Sequence, residues 1–317
     1  NHELGIDSDP SHGAFGPEFE RLGRVESSSF FDFGKDGPPV LGGTTTVVYD
    51  QRSGEVVNHF LSLAGTGRNC AGGMTPWNTW ITCEEWTQRS DERCAVDHGW
   101  CFEVPADGRG GLVPARPLLG LGRFNHEAVA VAPDGRCIYL TEDRNDGLLY
   151  RFIPNRPGHL AEGGRLQALM IRERPSLDLR NWIDPALESP IVSTRERLPV
   201  SWIDLDDTGS PEDDLRFRGF EAGAARFARG EGMWTGRDDI KFVCTTGGVG
   251  RIGQIWNYVP SPAEGTPDEA SQPPILELSI EATEGGIIEN ADNLTISPLG
   301  DLFVCEDGPP GNGLVRI

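Results

Sequence analysis

The chain has 317 residues, 41 of them glycine and 24 proline, and its formal net charge is −21. So many turn-forming residues argue against a helical bundle, and so acidic a surface repels nucleic acid and anionic membranes, so we expect neither as a partner. No window contains the roughly 18 uncharged apolar residues that a membrane-spanning helix needs.

Short segments rich in β-branched and aromatic residues recur along the chain and are bounded by Gly, Pro, Asp or Asn, which is typical of strands. In chain order they include residues 44–49, 79–83, 128–131, 137–141, 240–244 and 301–305. One helix is predicted over 221–229. Surface loops are predicted where Pro-rich charged stretches interrupt the strands, at 154–165, 184–215 and 259–274. The sequence therefore predicts a single all-β domain over residues 1–317.

The strands are organised as repeats. Four of them end in similar sequences, at 80–85, 139–143, 242–246 and 303–307, and three of these finish in paired acids. A conspicuous polar residue opens another strand 12–14 residues earlier in each case: Cys70, Glu127, Glu231 and Asn293. These residues are 57, 104 and 62 positions apart, which predicts a degenerate unit near residue 180, and Glu3 opens a further unit 67 residues before Cys70. Six such units predict a six-bladed β-propeller.

In a propeller the innermost strands surround one axis, so the residues that open them should meet at the mouth of the channel. Those residues are Glu3, Cys70, Glu127, Glu231 and Asp292 or Asn293, with Glu85, Asp143 and Asp307 in the next ring. Carboxylates brought so close need compensating cations. Oxygen ligands favour calcium, whereas a thiolate among them favours iron or zinc. The alternatives are acids that pair with arginine or solvent and, for Cys70, an inert buried thiol.

The seven cysteines include no C-x-x-C pair, which argues against a zinc ribbon or a thioredoxin motif. Their odd number leaves at least one thiol free if the others pair. Cys94 and Cys101 could close a loop.

Several blocks resemble the PhoX family of bacterial alkaline phosphatases. They are residues 65–85, 123–131, 140–144, 228–232 and 289–294, and the opening Asn1-His2-Glu3 is similar to an early motif of that family. The resemblance implies a six-bladed propeller with a mixed iron and calcium cluster that hydrolyses small-molecule phosphomonoesters. It also implies a periplasmic or secreted location, with export by the twin-arginine route.

Carried over by motif, Cys70 would be a thiolate ligand of iron, and Glu85 and Glu231 would be carboxylate ligands. Arg229 would bind phosphate, since its planar guanidinium can donate hydrogen bonds to two oxygens at once. Arg144 is a second candidate for that role, with a structural salt bridge as the alternative. The further ligands implied are Glu3, Glu127, Asp143, Asn290 and Asp292.

Two features depart from the family pattern. Asn78 stands where the family usually has glycine, a change in a loop that leaves the implied ligands themselves intact. Family members also continue beyond the Cys-Glu-Asp-Gly block, so we expect the last blade to be incomplete in this chain, either because the chain is a fragment or because a short variant closes the ring differently.

Two other functions stay open at this point. A calcium-dependent propeller lactonase or esterase would use a similar acidic axis without needing the thiolate or Arg229. A non-catalytic binding propeller would keep structural metals and show no turnover. A monomer is the favoured state, and the sequence does not identify the substrate alcohol.

Overall fold

The computed structural model describes residues 1–182, 190–308 and 311–317. The strands are β1 Gly42–Asp50, β2 Glu55–Thr66, β3 Asn69–Met74, β4 Thr79–Glu84, β5 Cys101–Pro105, β6 His126–Val131, β7 Ile138–Glu142, β8 Gly147–Pro154, β9 Gly164–Ile171, β10 Arg197–Asp204, β11 Arg226–Phe227, β12 Gly230–Thr235, β13 Ile240–Cys244, β14 Gln254–Val259, β15 Ile275–Glu281, β16 Ala291–Ile296, β17 Leu302–Glu306 and β18 Leu314–Arg316. One α-helix, α1, spans Leu215–Glu221, and 3-10 turns occur at Pro10–His12, Leu22–Arg24, Ser27–Ser29, Leu119–Leu121, Leu160–Glu162 and Pro267–Ser271.

The strands form antiparallel meanders, which confirms the mostly β prediction. Thirteen strands share one curled sheet in the order β12-β13-β14-β15-β10-β9-β8-β7-β6-β3-β4-β5, with β11 paired to β8. Separate sheets are formed by β1–β2 and by β16–β18. Several hairpin connections are short and contain glycine or aspartate, as tight turns require, at residues 51–54, 143–146, 236–239 and 297–301.

The first strands of four meanders, β3, β6, β12 and β16, pack against one another, and we call them the inner strands. Two glycines permit this close approach. A Cβ on Gly73 would lie 2.0 Å from the carbonyl oxygen of Val129, and one on Gly232 would lie 2.4 Å from the side-chain oxygen of Asn293. Larger residues at these two positions would push the inner strands apart.

The largest apolar core lies between the meanders. Phe227 packs edge to face on Phe242 and on Trp256, with ring centroids 5.4 and 5.6 Å apart, and all three side chains are buried. Full burial of an apolar side chain of this size stabilises the fold by roughly 1.5–3 kcal/mol. This core holds the outer strands in place behind the inner ones.

Some local predictions were wrong. A helix was predicted over 221–229, but α1 ends at Glu221. The helix cannot continue because Gly223 adopts a φ of 114° and the chain then enters β11. The predicted loop at 184–215 contains β10, whose Leu198 and Val200 are buried between β9 and β15. Residues 183–189 of that stretch lie outside the described residues.

The degenerate unit predicted near residue 180 is not a meander of its own, because the described residues 172–182 and 190–196 contain no strand. Six blades therefore stay a prediction. Cys94 lies beside Asp32 and His98, whereas Cys101 faces Cys83, so the loop closure suggested for Cys94 and Cys101 does not occur. In the part of the chain described here, no helix is long and apolar enough to cross a membrane.

Candidate metal centre at the ends of the inner strands

Four of the predicted ligands occupy the same position in four different strands. Each is the second residue of an inner strand: Cys70, Glu127, Glu231 and Asp292. Each inner strand also has a register shift that includes or directly follows this residue. A β-bulge bends its strand and redirects a side chain. The repeat seen in the sequence is therefore a repeat of strand position and of backbone irregularity.

A second set of residues lies directly after the C-terminal ends of the strands that pair with the inner strands. The backbone N–H groups of Glu85, Asp143, Thr245 and Asp307 donate to the carbonyls of Arg68, Asn125, Arg229 and Asn290, at 3.0–3.1 Å. Each acceptor precedes its inner-strand ligand by two residues. Three of the acceptors, Arg68, Arg229 and Asn290, have positive φ angles of 46°, 53° and 51°. Such strained backbone is concentrated at functional sites because the surrounding structure must enforce it.

The N-terminal segment completes one corner of the site. Asn1 donates from its side-chain amide to the carbonyls of Cys70 and Ala71, at 2.8 and 2.9 Å, and accepts from the hydroxyl of Thr82 at 2.9 Å. This anchoring brings Glu3 to the site. Single donor atoms of Glu3, Cys70 and Glu85 all lie within 4.8 Å of one another.

Arg229 lies inside the acidic cluster rather than beside it. Its Nε and Nη2 donate to the two carboxylate oxygens of Asp143, at 2.8 and 3.0 Å, and Nη2 also donates to Glu231. Nη1 donates no hydrogen bond to any described residue. The two acids therefore orient the guanidinium and leave one edge of it for another anion.

Burial and mutual repulsion dominate the electrostatics of the cluster. Burial, followed by the Asp143 carboxyl, raises the pKa of Glu85 to about 8. Burial also raises the pKa of Glu127 and Glu231 well above the ordinary glutamate value, and neighbouring carboxylates add to the effect. The pKa of Asp292 is raised by burial and by Asp307. One arginine supplies little positive charge against these acids, and additional cations would lower the repulsion between them.

The residues present fit bound metal ions. Glu127 is 2% exposed, and its Oε2 has no hydrogen-bond partner among the described residues. An unpaired, buried carboxylate oxygen costs free energy unless something positive contacts it. Burial and the adjacent Glu127 also raise the pKa of the Cys70 thiol, so only a strongly bound cation would make it a thiolate.

The two remaining predicted residues, Asn290 and Arg144, lie in different surroundings. Asn290 lies at the edge of the site, with its backbone bonded to Asp307. Arg144 turns towards Thr87, 3.3 Å away, and Asp213, 3.6 Å away, which agrees with the structural salt bridge considered for it.

Sequence reasoning missed two residues. Asn125 donates to Glu85 at 3.3 Å and to the Asp143 carbonyl at 3.2 Å, and Arg68 occupies the position equivalent to Arg229. Both stand two residues before a predicted ligand, which is the pattern that could have revealed them.

Comparisons with known proteins identify the family and the fold. A family model described as alkaline phosphatase PhoX matches residues 43–314. No curated protein sequence matches the chain. The structure of Pseudomonas fluorescens PhoX in complex with vanadate, a transition state analogue, is similar with a TM-score of 0.57 and 18% sequence identity, over 88% of this chain and 64% of that one. This likeness shows a shared propeller-like fold, and the chain spans just under two thirds of that PhoX.

A weaker likeness is found to the calcium structure of Trichoderma reesei Carbohydrate-Active Enzymes Family AA12. Its TM-score is 0.46 at 10% identity, over 88% of this chain and 77% of that one.

Proposed function

Because this chain belongs to the PhoX family of alkaline phosphatases, we propose that it is a metal-dependent phosphomonoesterase whose active site is the cluster at the ends of the inner strands. The observation that carries the proposal is the equivalent placement of Cys70, Glu127, Glu231 and Asp292 as second residues of the inner strands, with Arg229 bonded to Glu231. A surface with a net charge of −21 does not attract a phosphate ester by its bulk field. Local cations are needed, and this cluster combines the Arg229 guanidinium with the carboxyls of Asp143 and Glu231.

We further propose that the site binds two kinds of metal ion, each held by its own group of ligands. Glu3, Cys70 and Glu85 would hold iron, because a thiolate beside carboxylates suits a transition metal. Glu127, Asp143, Glu231 and Asp292, with Asn290 at the edge, would hold calcium, which prefers several oxygen ligands. Bound cations of this kind supply positive charge to phosphate oxygens and activate an attacking oxygen.

The protein's own contribution is the position of Arg229. Asp143 and Glu231 hold the guanidinium, so its free Nη1 edge can donate to a phosphate oxygen as charge develops there. A pre-oriented donor loses little entropy when the substrate binds, which is why such donors favour the transition state. The substrate would be a small-molecule phosphomonoester, and the location would be periplasmic or secreted.

The test is turnover of a small aryl phosphate by purified protein, with calcium and iron and then in excess chelator. Arg229→Lys keeps the charge and loses the planar fork, so we expect a ten- to thousandfold lower kcat with metal content and Tm nearly unchanged. Arg226→Lys is the matched control, because Arg226 pairs with Asp178 outside the cluster. It should keep full turnover.

Two results would contradict the proposal. One is an absence of phosphomonoesterase activity in protein that has bound its metals. The other is an Arg229→Lys variant that loses metal and stability together while its turnover per bound metal stays at the parental value, since Arg229 would then only support the fold.

A further inference from the structure

Three cysteines lie side by side on neighbouring strands next to the metal centre. In the antiparallel registers of β3, β4 and β5, Cys70 is opposite Cys83, and Cys83 is opposite Cys101. Cys83 and Cys101 are fully buried, and their sulfur atoms are 3.7 Å apart. No role in the proposed metal centre uses either of these two residues.

The hydrogen-bond pattern distinguishes the two possible pairings. The N–H of Glu84 donates to the carbonyl of Trp100 at 3.0 Å, which makes Cys83 and Cys101, one step along, a non-hydrogen-bonded pair. In such a pair the Cα atoms are about 4.5 Å apart and the side chains converge, within the range of about 4.4–6.8 Å that a disulfide spans.

The pairing of Cys70 with Cys83 has the opposite geometry. The N–H of Glu85 donates to the carbonyl of Arg68, also at 3.0 Å, so two steps along the ladder Cys70 and Cys83 form a hydrogen-bonded pair. Side chains in such pairs are further apart. Cys101 is therefore the better placed partner for Cys83, and Cys70 stays available as a thiol.

We propose that Cys83 and Cys101 form a cross-strand disulfide when the chain folds in an oxidising environment. A disulfide RSSR, such as oxidised glutathione, is the oxidant. The thiolate of one cysteine attacks RSSR and releases RS⁻, and the thiolate of the second then attacks the mixed disulfide and releases a second RS⁻. The two thiol protons go to the leaving thiolates, so that two protein thiols and RSSR give one protein disulfide and two RSH.

The bond would act on the segment that carries one predicted ligand, Glu85. It would join the end of β4, directly before Glu84 and Glu85, to the start of β5 across the long 85–100 connection. Closing this loop restricts the unfolded chain, and the buried position shields the bond from reductants while the protein is folded. The alternative is a reduced chain in which Cys101 Sγ contacts Cys83 and the Nδ1 of His126, 3.3 Å away.

The full chain is refolded in a buffer of reduced and oxidised glutathione, denatured without reductant and alkylated, and its peptides are mapped by mass spectrometry. We expect five of the seven cysteines to be alkylated, and one linked pair of peptides that contains Cys83 and Cys101 and is two hydrogens lighter than the separate peptides. The folded, oxidised protein should resist dithiothreitol until denaturant is added. Alkylation of all seven cysteines, or a bond between other cysteines, overturns the proposal.

Two variants make the test independent of folding yield. Cys101→Ser should abolish the linked peptide, whereas Cys94→Ser, a buried cysteine in the same connection, should retain it. Thermal unfolding exposes the disulfide to reduction, so dithiothreitol should lower Tm by several degrees in the parent and in Cys94→Ser, and not in Cys101→Ser. These measurements need neither metals nor phosphatase turnover, so failure of the proposed function would leave their outcome unaffected.

Discussion

Replacing Glu127 by glutamine is expected to stabilise the metal-free protein and to destabilise the metal-loaded protein. Burial and the Glu85 carboxyl raise the pKa of Glu127 well above its ordinary value of 4.5. Without cations, the folded chain therefore keeps a proton on Glu127 that the unfolded chain releases above about pH 4.5. The stability of the metal-free protein consequently falls as the pH rises above this value, and glutamine removes that loss.

The size of the effect follows from the pH. Between pH 4.5 and the pKa in the folded state, each pH unit lowers the free energy of unfolding by about 1.4 kcal/mol. At pH 6.5 the glutamine therefore recovers at most about 3 kcal/mol, or roughly 5 °C in Tm for a chain of this length. In the metal-loaded protein the same change removes a proposed ligand, and weaker metal binding lowers Tm by mass action.

The assay is thermal unfolding of both proteins between pH 4.5 and 8, in excess chelator and in calcium plus iron. Glu84→Gln is the matched control. Glu84 is fully buried like Glu127, but it accepts from the N–H groups of Gly67, Gly99 and Trp100 and contacts His98 at 2.7 Å. A glutamine amide at this position would place its N–H donors against backbone N–H groups that now donate to Glu84. Tm of this variant should therefore fall both in chelator and with metals bound. If Glu127→Gln shifts Tm in the same direction with and without metals, the reasoning about this cluster is wrong.

Three further predictions concern the metals, the pH and the fold. Cys70→Ser should lose iron and keep most calcium in elemental analysis, because a hydroxyl is a poor substitute for a thiolate, and full iron retention would make Cys70 a core thiol only. In chelator, urea titrations of the parent should show stability falling between about pH 5 and pH 8, since burial and the Asp143 carboxyl raise the pKa of Glu85 to about 8, and a flat profile would contradict this. Arg151→Met should lower the free energy of unfolding by about 3–5 kcal/mol with or without chelator, because the buried Arg151 pairs with Glu264 and Glu269, and a loss seen only in chelator would tie this network to the metals instead.

The repeated pattern of the sequence predicted which residues meet. Cys70, Glu127 and Glu231 were identified because each opens a strand at a regular interval, and the structure places each of them second in an inner strand. Asp292, rather than the neighbouring Asn293, occupies the equivalent position in β16, because the register shift between Ala291 and Asn293 decides which side chain faces the site. A bulge of this kind leaves no local signal in composition.

The partners of the charged residues could not be predicted in the same way. Arg229 was predicted to bind phosphate, and in the structure it contacts Glu231, but its bidentate partner is Asp143, 86 positions earlier. The anchoring of Asn1 on Cys70 and the contact of Cys83 with Cys101 also depend on which strands become neighbours. The helix predicted at 221–229 was wrong because its residues contribute to a core formed by distant strands.

The sequence by itself determined many of the strands and turns and the repeated ligand positions, because alternation, turn chemistry and strand length act over a few neighbouring residues. It also carried the family motifs over most of the chain. Only the tertiary structure decided the bulges, the strained backbone before three of the ligands, the orientation of Arg229 and the unpaired oxygen of Glu127. These features arise from contacts between residues far apart in the chain, whose free energies depend on burial and on the strand order that brings them together.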